Sequence, residues 1–277
     1  MIIDAQTRLY GIIGSPVRHS LSPIIHNGAF RRMGLNAVYL AFEVESLEEA
    51  MRGIRGLGIR GVSVTLPFKT QVLPFLDEIE ATARKIKAVN TLVNQDGKLV
   101  GYNTDWQGAI EALEDKIDLM GKNILLLGAG GTARAIGFGL KEKGCHVFVS
   151  NRTPEKAEEL AKDLDFVYQP LSSMDGRKID IIIIATSVGM IPHHSEIPLH
   201  PNLLKEGMIV MDVVYQPLKT KLLQAAEEIG CRTIGGVEML ARQAAGQFAI
   251  WTGIKPEIEE IKRELEQVLG DEGMGST

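Results

Sequence analysis

The chain has 277 residues, 45% of them hydrophobic and 23% charged, and 30 Lys and Arg against 35 Asp and Glu leave a net charge of −5. A mean hydropathy of +0.04 excludes a disordered chain, and the length allows one large domain or two ordinary ones, each with a core of its own. The acidic balance argues against nucleic acid or an anionic membrane as partner.

Cys145 and Cys231 cannot make a disulfide framework, and no CxxC or HExxH spacing offers a metal site. The start, MIIDAQTRLYGIIG, lacks the basic and apolar segments of a signal peptide. The apolar run Ile179–Ala185 is broken by Asp180 and is too short to span a bilayer. A soluble protein of a reducing compartment, the cytoplasm, is expected.

Leu9–Ile13 reads as a strand ending in Gly14. Ser22-Pro23 then opens a helix to about Met33, with Ser22 as N-cap and Pro at the first helical position. Ala37–Phe42 and Gly61–Thr65 are strands, Leu47–Leu57 is a helix, and Pro67 starts another. Ala88–Val93 leads through the turn Asp96-Gly97 into Lys98–Tyr102. Strands separated by helices imply a mostly parallel sheet, with that hairpin at its edge.

A second unit starts near Trp106, with a helix Gln107–Leu113. Asn123–Leu127, His146–Ser150, Ile179–Ala185 and Met208–Val213 alternate as strands with helices Thr132–Lys143, Pro154–Lys162 and Thr220–Gly230. Glu238–Thr252 and Pro256–Leu269 are helical, and the tail Asp271–Thr277 is expected to fray. The fold class is therefore α/β: an N-terminal α/β domain over 1–105, completed by helices from 237–277, and a doubly wound Rossmann-type domain over 106–236, with a cleft between them. The stretch RGIRGLGIRG over 52–61 is read as a helix end and turn, not as a repeat.

NILLLGAGGTARA over 123–135 is a buried strand, a glycine loop and a helix. It matches the dinucleotide fingerprint in its GxGxxA form: Gly128 for the tight turn, Gly130 for approach to a pyrophosphate, Ala133 for close packing. An NAD site wants an acid at the end of the following strand. Here that strand ends Ser150-Asn151-Arg152-Thr153, with no acid before Glu155. Arg152 can pair with a 2′-phosphate, with Asn151, Thr153 and Lys156 adding donors, so NADP is the expected cofactor. Without the glycine loop, Arg152 reads better as a solvated surface residue.

Three clusters carry the chemistry. In VSVTLPFK, Thr65 stands at a strand's C-terminal end and Lys69 in the first turn of the next helix, a place that suits an acid/base lysine, although most lysines there are surface residues. In KAVNT and YNTDW, Asn90 can fix a substrate while Asp105 pairs with Lys69 in a proton relay, or else caps the helix beginning at Trp106. In GSPVRHSLSP, Ser20 and Ser22 can donate to a carboxylate, though Ser22 fits a plain N-cap as well. His19 and His26 are read as non-catalytic, and His193-His194 has no third ligand at useful spacing.

Taken together, GSPVRHSLSP, VTLPFK, KAVNT, YNTDW, the glycine loop, ATSVGM (185–190), DVVYQP (212–217) and GGVEMLARQ (235–243) resemble the shikimate dehydrogenase family along almost the whole chain. The resemblance implies NADP-dependent interconversion of shikimate and 3-dehydroshikimate, in aromatic amino acid biosynthesis, on a chain that is monomeric or homodimeric. It implies Lys69 as acid/base with Asp105 as its partner. Ser20, Ser22, Thr65, Asn90, Asp105, Tyr215 and Gln243 would bind substrate. Gly128, Ala129, Gly130, Gly131, Thr132, Asn151, Arg152, Thr153, Lys156, Val213 and Gly236 would bind the cofactor. Lys156 stands where some members carry Arg. Two alternatives remain at this point, a quinate/shikimate dehydrogenase of broader range and a non-catalytic ligand sensor of the same fold.

Overall fold

The structure is a computed structural model that describes residues 3–174, 179–191 and 194–274, with side chains as far as Gly270. His193 and the last three residues of the tail expected to fray lie outside the described residues. The chain divides into two compact units, Met1–Asp105 with Gln243–Leu265, and Trp106–Arg242 with Glu266–Thr277. No helix of the described residues is long and apolar enough to cross a membrane.

The first unit contains β1 (Arg8–Gly14), α1 (Ser22–Arg32), β2 (Ala37–Glu43), α2 (Leu47–Gly56), β3 (Gly61–Val64), α3 (Phe68–Gln71), β4 (Glu78–Ile79), α4 (Ala81–Ile86), β5 (Thr91–Gln95) and β6 (Lys98–Tyr102). Its sheet runs β2-β1-β3-β5-β6-β4. β1 is parallel to β2 and β3, while β5 is antiparallel to both β3 and β6. The predicted hairpin is closed by Asp96 and Gly97, both at positive φ. It does not form the edge, because two-residue β4 pairs parallel with β6 outside it. β5 begins at Thr91, not Ala88, since the Val89 N–H is drawn to the Lys69 carbonyl at 2.8 Å. Apolar residues on one face of this sheet, among them Val62, Val64, Leu92 and Leu99, close over Met51 and Ile54 of α2.

The second unit follows α5 (Asp105–Glu114) with β7 (Asn123–Leu127), α6 (Gly131–Glu142), β8 (His146–Ser150), α7 (Pro154–Leu164), β9 (Val167–Tyr168), β10 (Ile181–Ile184), β11 (Ile209–Asp212), α8 (Lys221–Glu228) and β12 (Arg232–Ile234). α9 (Gly236–Thr252) and α10 (Ile258–Met274) end the chain. The strands are all parallel, in the order β12-β11-β10-β7-β8-β9. The order reverses between β7 and β10, as in the doubly wound dinucleotide fold. Alternate residues feed two cores: Ile124, Leu126, Ile181 and Ile183 on one face, Leu125, Leu127, Ile182 and Ile184 on the other.

Candidate active site

Lys69 sits on α3, a single turn held to its surroundings by backbone bonds from Phe68 N to Thr65 O at 2.9 Å and from Val89 N to Lys69 O at 2.8 Å. So short a helix has little macrodipole, and the electrostatic partner of Lys69 is a carboxylate instead. Lys69 Nζ lies 2.6 Å from Asp105 Oδ2, with the two side chains 15% and 4% exposed. Asp105 is the first residue of α5 but not its cap: Asn103 Oδ1 accepts the Asp105 N–H at 3.0 Å. The cap reading of Asp105 is thereby overturned, and its two oxygens are left for Lys69 and for Asn90, whose Nδ2 donates to Oδ1 at 2.8 Å.

Asn90 is buried and also donates to Thr104 Oγ1 at 2.9 Å and to Gln243 Oε1 at 3.3 Å. Lys69, Asp105, Asn90 and Gln243 are thus brought to one place from α3, the start of α5, the residue before β5, and α9. Residues from four separate segments converge on a buried ion pair, a costly arrangement unless both charges are satisfied.

Ser22 and Ser20 lie at the start of α1. The N-cap there is Leu21, without a side-chain hydrogen bond, so the cap reading of Ser22 fails, and Pro23 is the second helical residue, not the first. The Ser22 N–H approaches Ser20 Oγ at 3.3 Å. Burial holds the Tyr39 phenol well above its ordinary range. Tyr39 donates to Ser63 Oγ at 2.6 Å, and Ser63 to Gln247 Oε1 at 2.8 Å. His26, one turn along α1, is fully buried and stacks on Tyr39 with ring centroids 4.5 Å apart. Neither of its ring nitrogens is in hydrogen-bond geometry with a partner. Burial pushes the imidazole down to about 3, against a smaller opposing pull from Gln247. Thr65 contributes packing: its Cγ2 would stand 2.4 Å from a Cβ on Gly14.

In the second unit the glycine loop joins β7 to α6, and the Gly128 N–H donates to Ser150 O at 2.9 Å, which ties the loop to the end of β8. Gly128 has φ of +121°, and a Cβ on it would meet the Ala185 carbonyl oxygen at 2.5 Å. Gly130 differs: it is the N-cap of α6 at φ −81°, and a Cβ there would meet no protein atom within 4 Å. Packing does not require glycine at 130, whereas a phosphate lying against a bare backbone does. Ala133 is fully buried on α6, as close packing demands.

Arg152, Thr153 and Lys156 are exposed around the start of α7, and Asn151 Nδ2 donates to Thr153 O at 3.0 Å. Among the described residues no group of three or more potential metal ligands occurs. Val213 and Tyr215 follow β11, and burial pushes the Tyr215 phenol up to about 12. A Cβ on Gly236 would stand 2.5 Å from the carbonyl oxygens of Val213 and Val214, so packing alone explains that glycine.

Three family models match in chain order. The shikimate dehydrogenase substrate binding domain covers residues 12–92, shikimate / quinate 5-dehydrogenase covers 111–213, and the shikimate 5'-dehydrogenase C-terminal domain covers 236–266. A shikimate dehydrogenase (NADP(+)) of Pyrococcus abyssi is 48% identical over 95% of this chain and 99% of its own. The chain belongs to the shikimate dehydrogenase family.

Solved members of the family superpose closely. A shikimate dehydrogenase in complex with NADP+ has a TM-score of 0.91 at 44% identity, covering 97% of this chain and 98% of its own. The Thermus thermophilus enzyme, in complex with NADP(H) and shikimate, has a TM-score of 0.87 at 38% identity, covering 94% and 99%. The α/β class expected from the sequence agrees with these relatives. Two polar residues of the first-unit cluster, Thr91 and Gln247, were not singled out by sequence reasoning. Only the 157-residue contact between Gln247 and Asn90 reveals them.

Proposed function

We propose that this chain is an NADP-dependent shikimate dehydrogenase, which reversibly reduces 3-dehydroshikimate to shikimate. The single observation that carries the reading is the buried Lys69–Asp105 pair at 2.6 Å, beside Asn90 and Gln243. In reduction, Lys69 Nζ gives a proton to the oxygen that becomes the alcohol, and in oxidation it takes that proton back. Asp105 orients the amine. Asn90, Gln243, Thr65 and Tyr215 bind the ring substituents, and Ser20 and Ser22 take the carboxylate.

The residues around the glycine loop fit NADP, as the open space at Gly130 and the absence of an acid over 150–154 support. Gly128, Ala129, Gly130, Gly131 and Thr132 would face the pyrophosphate; Asn151, Arg152, Thr153 and Lys156 the 2′-phosphate; Val213 and Gly236 the nicotinamide end. NADPH, when bound, supplies the hydride, and the protein supplies alignment and electrostatics. In this reading residues 1–105, with helices after 237, bind substrate and residues 106–236 bind cofactor. The chain works as a monomer or homodimer in the cytoplasm, without nucleic acid.

The test is the appearance of NADPH absorbance with shikimate and NADP, run beside quinate and beside NAD. A kcat/KM far higher for the shikimate–NADP pair is expected. Equal use of quinate moves the protein to the broader shikimate/quinate activity, and no turnover with any pair removes the enzyme reading.

A further inference from the structure

Gln247 lies one turn beyond Gln243 on α9 and is 2% exposed. Its Nε2 donates to the main-chain oxygen of Asn90 at 2.9 Å and to Thr91 Oγ1 at 3.1 Å. A main-chain carbonyl can only accept, so the amide is fixed with nitrogen on this side and Oε1 toward Ser63, which donates to it. Thr91 Oγ1 therefore accepts from Gln247, and its own hydroxyl donates to Asn90 Oδ1 at 2.7 Å. The Thr104 N–H donates to the same oxygen at 2.9 Å.

With Asn90 Oδ1 saturated by two donors, the other end of that amide must face acceptors, and Asp105 Oδ1 is one at 2.8 Å. Asp105 then takes one donor on each oxygen, Asn90 on Oδ1 and Lys69 on Oδ2. Every direction in the series Gln247 to Thr91 to Asn90 to Asp105 is set by an atom that can play only one role. Thr91 is fully buried, so no solvent competes for its hydroxyl.

We propose that Thr91 and Gln247 are positioning residues, which lock the Asn90 amide and through it hold the Asp105 carboxylate in the orientation that aims Lys69. This rests on the acid/base role given to Lys69 above. A flip of the Asn90 amide would bring N–H against N–H at Thr104 and leave Asp105 Oδ1 without its donor.

The test compares Thr91→Val, Thr91→Ser and Lys69→Ala, singly and combined, in the full-length protein. Thr91→Val is near isosteric and removes only the hydroxyl. It should lower kcat for shikimate oxidation about 10-fold, the size of one buried hydrogen bond lost from an ordered pair, with KM for NADP unchanged. Thr91→Ser should restore most of that loss. In the Lys69→Ala background Thr91→Val should cost nothing further, because its effect passes through the missing lysine. Should Thr91→Val fail to fold, Gln247→Leu is read in the same way. Turnover within about twofold of the parent in Thr91→Val, or an equal loss with and without Lys69, overturns the proposal. Undiminished turnover in Lys69→Ala alone overturns the acid/base reading instead.

Discussion

A lysine ammonium beside a carboxylate 2.6 Å away is an ordinary ion pair on a surface and a device in a buried site. What sets Lys69 apart is that the partner's second oxygen is already occupied by Asn90. The Asp105 oxygen that faces the amine is therefore Oδ2. Lys69→Ala should reduce turnover by about 100-fold, the usual scale of acid/base assistance, with a smaller change in shikimate KM. Steady-state kinetics in both directions checks it, and near-normal kcat would place the proton transfer elsewhere. At this scale the sequence was half legible. Lys69, Asp105 and Asn90 could be picked out because strand ends and helix starts collect ligands. The choice between cap and partner for Asp105 could not be made locally, since Asn103, two residues earlier, takes the capping bond. The same ambiguity at Ser22 resolved against the cap, because the helix already includes Ser22 and its N-cap is Leu21.

Among the elements, the junction of β8 and α7 is where the proposed function places the choice of nucleotide. Its strand end carries no acid, and Arg152, just before α7, and Lys156, in its first turn, stand exposed. Arg152→Ala is expected to raise KM for NADP by about 10-fold or more, the loss of a charge-assisted pair, while shikimate KM holds. Titrating both substrates separately checks this, and equal shifts in the two would count against a phosphate contact. β7 and β8 were read residue for residue from sequence, because each carries a short, largely buried apolar run, Ile124–Leu127 and Val147–Val149. β4, β9 and β12 escaped notice. Each has two or three residues, and such pieces are strands by virtue of a neighbour's ladder, not of any pattern of their own.

For the molecule as a whole, two buried ionisable groups pull stability in opposite directions as pH falls. His26 is pushed down to about 3 by burial, so below its ordinary 6.5 the unfolded chain takes up a proton that the folded chain refuses. Stability present above that value is lost as pH falls, by about 2 kcal/mol near about pH 5. Asp212, fully buried at the end of β11, is pushed up to about 6 by burial. Its contribution is complete below its ordinary value and fades as pH rises through about 6. Denaturant melts of His26→Leu beside the parent, at about pH 5 and at neutrality, isolate the histidine because Asp212 is common to both. The parent should lose about 2 kcal/mol relative to the variant on acidification, and parallel curves would refute the assignment.

The compact unit that begins at the N-terminus also includes Gln243–Leu265, among them Gln247 on the Asn90 carbonyl and Trp251, whose Nε1 donates to Leu92 O at 2.9 Å. On the ribosome those residues emerge only after the whole of Trp106–Arg242. The nascent N-terminal sheet therefore waits, missing a wall of its core, while more than a hundred intervening residues are translated. Most of the second unit is made before the first can close, and chaperone demand should fall on the portion synthesised first.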